Sequence, residues 1–275
     1  LINGSFYAIL SLGLAIIFGL LNIINFTHGA QYMMGAFVAW IALNKLGINY
    51  WVALLFAPIV IGALGVLIER TMLRKLYKLD HLYGLLLTFG LALIFEGIFR
   101  DQYGISGQSY PVPELLQGGV NLGFMFLPIY RGWVVVAALT VCFATWFVIE
   151  KTKLGAYLRA GTENAQMVQA LGINVPLLIT FTYGFGVALA AFAGVLAAPV
   201  YQVSPLMGSN LIIVVFAVVV IGGMGSIMGS ILTGLGLGLI EGLTRVFYPE
   251  ASAVVVFVIM VIVLLVRPAG LFGKA

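Results

Sequence analysis

The residues of this chain with chemistry to offer are few, and they gather in three short polar runs. The first is Asn22-Ile-Ile-Asn25-Phe-Thr27-His28-Gly29, with two amides, a hydroxyl and an imidazole. The second is Gly222-Gly223-Met-Gly225-Ser226, and the third is EKTKLGAYLRAGTENAQMVQALGINVP, residues 150–176. None of them supplies paired carboxylates, a Ser/His/Asp set or a His/Cys cluster at a working spacing, so no catalytic residue, metal site or cofactor is expected. Binding is the chemistry left to the first two runs. A break between helices frees backbone N–H groups whose partial positive charge suits an anionic group such as a carboxylate.

Around these runs the chain is apolar. Of its 275 residues, 63% are hydrophobic, only 8% are charged and 34 are glycine. A soluble domain carries about 25% charged residues, so this one could not cover its surface in water and reads as an integral membrane protein. Cys142, the single cysteine, lies in the apolar run 133–149, which excludes an intrachain disulfide and leaves it a packing role.

Apolar runs near the length needed to cross a hydrocarbon core place spans at 2–21, 29–43, 50–68, 83–99, 132–149, 177–198, 206–221, 228–247 and 251–266. The expected fold is therefore all-α and polytopic, with about nine crossings (eight to ten). Residues 2–21 read as a span and not as a signal peptide, lacking a basic flank and a small-residue cleavage site. Nine basic residues (Arg70, Arg74, Lys75, Lys78, Lys151, Lys153, Arg159, Arg267, Lys274) fall on one side and four (Lys45, Arg100, Arg131, Arg245) on the other. The nine mark the cytoplasm, with the start of this chain outside and residue 275 inside. The same bias accounts for the net charge of +4, with no need of nucleic acid as a partner.

Small residues recur every fourth position in two spans, as Ser226, Ser230, Gly234, Gly238, Gly242 and as Gly186, Ala190, Gly194, Ala198. Such ridges let helices pack closely in lipid. Glu96 and Glu241, near outer span ends, each precede an arginine by four residues (Arg100, Arg245), a spacing that puts each pair on one helix face. No ionisable residue falls near the middle of these spans, which argues against a proton-driven carrier. The run Gly222 to Ser226 lacks the lysine of a phosphate loop, so the chain is not expected to hydrolyse ATP alone.

The span 29–43 is short, about 22 Å at 1.5 Å per residue, which places the first break inside the membrane boundary. Two readings follow. In one, Asn25, Thr27 and His28, with Asn22 and Gly29, line a route and the helix start faces a substrate carboxylate. In the other the run is a tight turn capped by Asn25 or Thr27, with His28 at the cytoplasmic interface. The same pair of readings applies to Gly222, Gly223, Gly225 and Ser226. The third run predicts a short cytoplasmic helix over 163–171, capped by Thr162 and stopped by Gly172, with Ala165, Val168 and Leu171 on one face. An exposed helix with one apolar face suits a partner's groove.

Five segments carry a family resemblance that covers almost the whole chain. NIINFTHGAQYMMGA, the IER at 68–70 with its basic loop, LRAGTENAQMVQALGIN, VVVIGGMGSIMGSILTG and RPAGLFG occur in that order. Together they resemble the permeases of branched-chain amino acid ABC transporters, on the LivH side of the LivH/LivM family. The resemblance implies one membrane permease domain over 1–275 with a coupling segment at 150–176, in a prokaryotic plasma membrane. It also implies partners: a second, LivM-like permease in a heterodimer, two cytoplasmic ATPases and an extracytoplasmic substrate-binding protein. Residues 162–174 are similar to the family's coupling helix, a divergent EAA loop kept here as Glu163-Asn164-Ala165, which puts Glu163, Asn164, Ala165, Leu171 and Gly172 at the ATPase contact. The implied cargo is branched-chain or other neutral amino acids, moved by alternating access. Alternatives are urea or short amides on the same fold, or a stand-alone channel or ion-coupled carrier.

Overall fold

The computed structural model describes residues 1–21, 23–77, 79–121, 123 and 126–273. Asn22, Lys78 and Lys274 lie outside the described residues. Helix α1 (Ile2–Leu21) is followed by α2 (Thr27–Leu46) and α3 (Tyr50–Ile68), which runs into a π-helical turn (Glu69–Leu73) and the single turn α4 (Arg74–Leu76). Next come α5 (His81–Tyr103), a 3-10 turn (Glu114–Leu116), strands β1 (Gly119–Asn121) and β2 (Phe126–Pro128), and α6 (Ile129–Lys151). Two short helices, α7 (Lys153–Glu163) and α8 (Ala165–Ala170), lead to α9 (Val175–Ala197), α10 (Ser209–Gly222), α11 (Ile227–Phe247) and α12 (Val255–Val266).

Each expected span coincides with a helix. Six of the helices, α1, α3, α5, α6, α9 and α11, are long and apolar enough to cross a membrane. The other three fall short in different ways. Helix α2 has 20 residues, five more than its expected span, but includes Thr27, His28, Gln31, Asn44 and Lys45, while α10 has 14 residues and α12 has 12. Among the described residues the departures from an all-helical chain are a small antiparallel hairpin in which Val120 faces Leu127 and a single bridge between Gln108 and Val203.

Helices α1 and α9 form the centre. Glycines let α11 lie against α1: a Cβ on Gly238 would stand 2.1 Å from the Cα of Gly4. Likewise a Cβ on Gly194 of α9 would stand 2.1 Å from the Tyr32 carbonyl oxygen of α2. In lipid such contacts supply packing that no hydrophobic effect between helices provides. Helix α5 buries only Thr88 and α12 only Val256, so the long flanks of both face outward.

Arg70, Arg74, Asn174 and Pro176 line one recess, which puts the basic loops after α3 and before α9 at the same end of the bundle, hereafter the basic end. The opposite end holds an aromatic cluster. Tyr130 Oη lies 2.9 Å from the Leu196 carbonyl oxygen and 3.0 Å from Tyr50 Oη, and Trp133 donates from Nε1 to Tyr50 Oη at 3.2 Å. Tyr and Trp of this kind anchor helix ends at a membrane interface.

Candidate functional site

The segment between α6 and α9 is more structured than its sequence suggests. Helix α6 turns sharply into α7, where a Cβ on Gly155 would stand 1.6 Å from the Ile149 carbonyl oxygen. Arg159 holds this turn, donating from Nη1 to that same carbonyl at 3.1 Å, and lies 3.6 Å from Glu150 Oε2. Thr162 is not a helix cap. It sits in the last turn of α7, where its hydroxyl donates to the Arg159 carbonyl at 2.7 Å. The cap is Asn164, whose extended backbone (φ −149°) separates α7 from α8 and whose Oδ1 accepts from the Met167 N–H at 2.9 Å. Gly172 stops α8 as expected, with φ +85° and its N–H on the Gln169 carbonyl. Asn174 then caps α9.

The expected apolar face is divided. Val168 is buried and anchors α8 to the bundle, Ala165 is half-buried, and Leu171 is 74% exposed. Met167, four residues before Leu171, is 65% exposed. Glu163, Asn164 and Gly172 are also exposed, so the surface offered to a partner is built on Met167 and Leu171 and not on Val168.

The first break lies deep in the bundle. His28 Nε2 is 3.0 Å from the carbonyl oxygen of Leu10, the ninth of the 20 residues of α1. This overturns both the placement of His28 at an interface and the expectation that no ionisable residue lies near the middle of the helices. Neither Asn25 nor Thr27 caps α2. Asn25 Nδ2 donates to Gln31 Oε1 at 3.2 Å, and the Thr27 hydroxyl donates to the Thr88 carbonyl at 2.8 Å. The non-helical backbone is satisfied from α5: the Thr88 hydroxyl donates to the Ile24 carbonyl at 3.1 Å and accepts from the Phe26 N–H at 3.2 Å. Such backbone at membrane depth needs internal partners. Asn25, Thr27 and His28 are fully buried in this conformation. Gly29 touches Gly208, at the start of α10, so two helix starts meet inside the bundle.

The second break is a packed turn. Gly223 (φ +99°) and Gly225 (φ +92°) take left-handed backbone, and Ser226 caps α11 by accepting from the Gly229 N–H at 3.0 Å. Residues 267–273 fold back over it. The N–H of Leu271 donates to the Ile221 carbonyl at 2.8 Å and that of Phe272 to the Gly222 carbonyl at 3.1 Å.

Two features escaped the sequence reading. Glu69, the first residue of the π turn, is buried, with its carboxylate accepting from the Tyr77 hydroxyl at 2.8 Å and from the Thr180 hydroxyl of α9 at 2.7 Å. Burial and the bond to Glu69 push the Tyr77 phenol above its ordinary pKa. The carboxylate that closes an apolar run in IER was the available signal, and it was absorbed into the basic loop.

The second is a cavity of about 340 Å³ at the end opposite the basic loops, between α1, α10, α11 and residues 198–208. Asn3, Tyr7, Tyr201, Asn210, Glu241 and Arg245 give it polar walls; Phe6, Tyr32, Met207 and Leu211 give it apolar ones. Both expected glutamate–arginine pairs form, at 2.7 Å for Glu241 with Arg245 and 2.9 Å for Glu96 with Arg100. Tyr7 donates to the other oxygen of Glu241 at 2.6 Å, and Ser209 donates to Glu96. The residues of the two breaks do not line this cavity.

Long apolar helices, interruptions satisfied within the bundle and a polar-walled cavity at one end define a polytopic membrane permease. The chain belongs to the family described as "branched-chain amino acid transport system / permease component", whose model matches residues 1–264. It is similar to the high-affinity branched-chain amino acid transport system permease protein BraD of Pseudomonas aeruginosa, 33% identical over 292 residues, with 98% of this chain and 92% of the relative covered. The LivH permease protein of the corresponding Escherichia coli system is 30% identical over 286 residues, with 98% and 92% covered. The LivM permease protein of Salmonella typhimurium is 28% identical over 292 residues, covering 96% of this chain and 67% of the relative. No solved structure matches the chain.

Proposed function

We propose that this chain is the membrane-embedded subunit of an ATP-driven importer of branched-chain or other neutral amino acids, and that α8 is where partner ATPases engage it. The observation that carries the reading is α8 itself. A six-residue helix, capped by Asn164 and anchored by Val168, turns Met167 and Leu171 outward beside the basic loops. Apolar side chains held rigidly in water suit a groove on a partner. The basic end then faces the cytoplasm, the chain start faces outward, and the membrane is a prokaryotic plasma membrane.

Similarity to both LivH and LivM supports pairing with a second, related permease. Two cytoplasmic ATPases would supply energy and an extracytoplasmic binding protein would deliver cargo. ATPase closure would move α7 and α8, and through Asn174 the start of α9, whose Thr180 is tied to Glu69 at the end of α3. Asn25, Thr27, His28 and Gly29 would join the route when that rocking separates α2 from α10. The second break would serve as a fixed turn.

The test is reconstitution. The chain assembled with its partner permease, ATPases and binding protein should import leucine only with ATP. Leucine movement by the purified chain alone would instead identify a channel or ion-coupled carrier, and ATP-driven uptake of urea without leucine would change the cargo.

A further inference from the structure

We propose that the cavity opposite the basic end is a site for a zwitterionic α-amino acid, with the ammonium on Glu241 and the carboxylate on Arg245. The inference rests on the importer reading above and adds to it a place and a recognition chemistry.

Glu241 lies within α11, its side chain only 8% exposed, while that of Arg245 is 60% exposed. Ionisable groups inside a membrane span are costly and mark functional positions. The Glu241 carboxylate receives donors from Tyr7 and Arg245, leaving about half of its roughly four acceptor sites free for an ammonium. Arg245 gives one N–H to Glu241, and the rest of its planar fork suits a carboxylate bidentately. A neutral zwitterion matches this pair, whereas an analogue with a single charge leaves one member unmatched. The opposing wall of Phe6, Tyr32, Met207 and Leu211 suits an aliphatic side chain. At about 340 Å³ the cavity sits at the small end of the range of about 300–1,000 Å³ for ligand pockets, which favours one amino acid over a peptide.

The competing account is that Glu241 and Arg245 merely anchor a helix end, as an i,i+4 pair does at an interface. Glu96 and Arg100 form the same pair on α5 but line no part of this cavity. A hydroxyl from a neighbouring helix reaches both carboxylates, Tyr7 at Glu241 and Ser209 at Glu96, so what sets the Glu241 pair apart is the cavity it faces, with its opposing apolar wall.

The experiment uses the full chain co-assembled with its partner permease and ATPases in nanodiscs. Ser204 also lines the cavity, so on a Cys142→Ser background Asn210→Cys and, separately, Ser204→Cys place a thiol in its wall, and labelling by a methanethiosulfonate reagent is timed. Saturating L-leucine is expected to slow labelling about tenfold, and leucinamide and 4-methylpentanoate, each with one charge removed, to have little effect. Glu241→Gln should abolish protection by leucine, measured against that variant's own ligand-free labelling rate. Equal protection by leucine and the two analogues, protection by urea instead, or no protection at either thiol would overturn the site. Leucine uptake by the same assembly in proteoliposomes, with ATP and the binding protein, separates the two failures. Normal uptake without protection removes this site alone, and absent uptake in the unsubstituted assembly removes the importer reading.

Discussion

Truncating Leu171 tests the docking reading most directly, because the structure separates contact from stability. Leu171 is 74% exposed, so its side chain does little for the fold of the isolated chain. Burying a whole leucine side chain contributes about 1.5–3 kcal/mol, and covering three quarters of one contributes about 1.5 kcal/mol. Leu171→Ala should therefore weaken ATPase binding about tenfold while thermal stability stays within about 0.5 kcal/mol of wild type. Leu171→Asp should weaken it further, since a carboxylate would enter an apolar groove unpaired. Val168→Ala provides the contrast: its side chain is buried, so it should lower stability by about 1–2 kcal/mol. The assay titrates purified partner ATPase onto nanodisc-embedded permease, with a melting curve for each variant. Wild-type affinity in both Leu171 variants would refute the docking surface, and a large stability loss in Leu171→Ala would refute the geometry.

Three other expectations concern the bundle. Gly194→Ala, whose Cβ would meet the Tyr32 carbonyl at 2.1 Å, should destabilise by about 1–3 kcal/mol or more. Gly84→Ala, with nothing within 4 Å, should instead stabilise α5 by about 0.5–1 kcal/mol; equal melting temperatures for the two variants would contradict the packing. Thr180→Val removes a donor 2.7 Å from the buried Glu69 carboxylate and should cost about 1.5–3 kcal/mol in thermal unfolding, with Thr180→Ser restoring most of it. His28→Ala removes a fully buried imidazole bonded to Leu10 and should lower stability by about 1–3 kcal/mol; wild-type melting and wild-type uptake together would reduce the first break to an inert turn.

Hydropathy located every apolar helix, because the bilayer demands long uniform runs that a sequence displays openly. The charged pairs on α5 and α11 were legible for a similar reason, since i,i+4 spacing is local. What was not legible depended on neighbours distant in sequence. Helix α7 hid behind Gly155 and Gly161, which lower helix propensity, although Gly155 is wanted there for the tight turn against Ile149. The cap fell to Asn164 because α7 continues through Thr162. The two readings of His28, lining a route or sitting at the interface, stayed open because nothing local reveals that the chain re-enters the bundle beside Thr88. The cavity draws on four separate segments, so Asn3, Tyr7, Tyr201 and Asn210 carried no shared signal.

The partners of the two breaks also impose an order of assembly. Thr88 satisfies Ile24 from 64 residues downstream, and Leu271 satisfies Ile221 from 50 residues downstream. At a synthesis rate of about 5–20 residues per second, those backbone groups wait about 2.5–13 s for the chain that completes them. Each break is thus left open while the next helices are inserted and is sealed afterwards, so the bundle closes from segments made late. Residues 267–273, a short segment by length, act as the stitch that seals the second break.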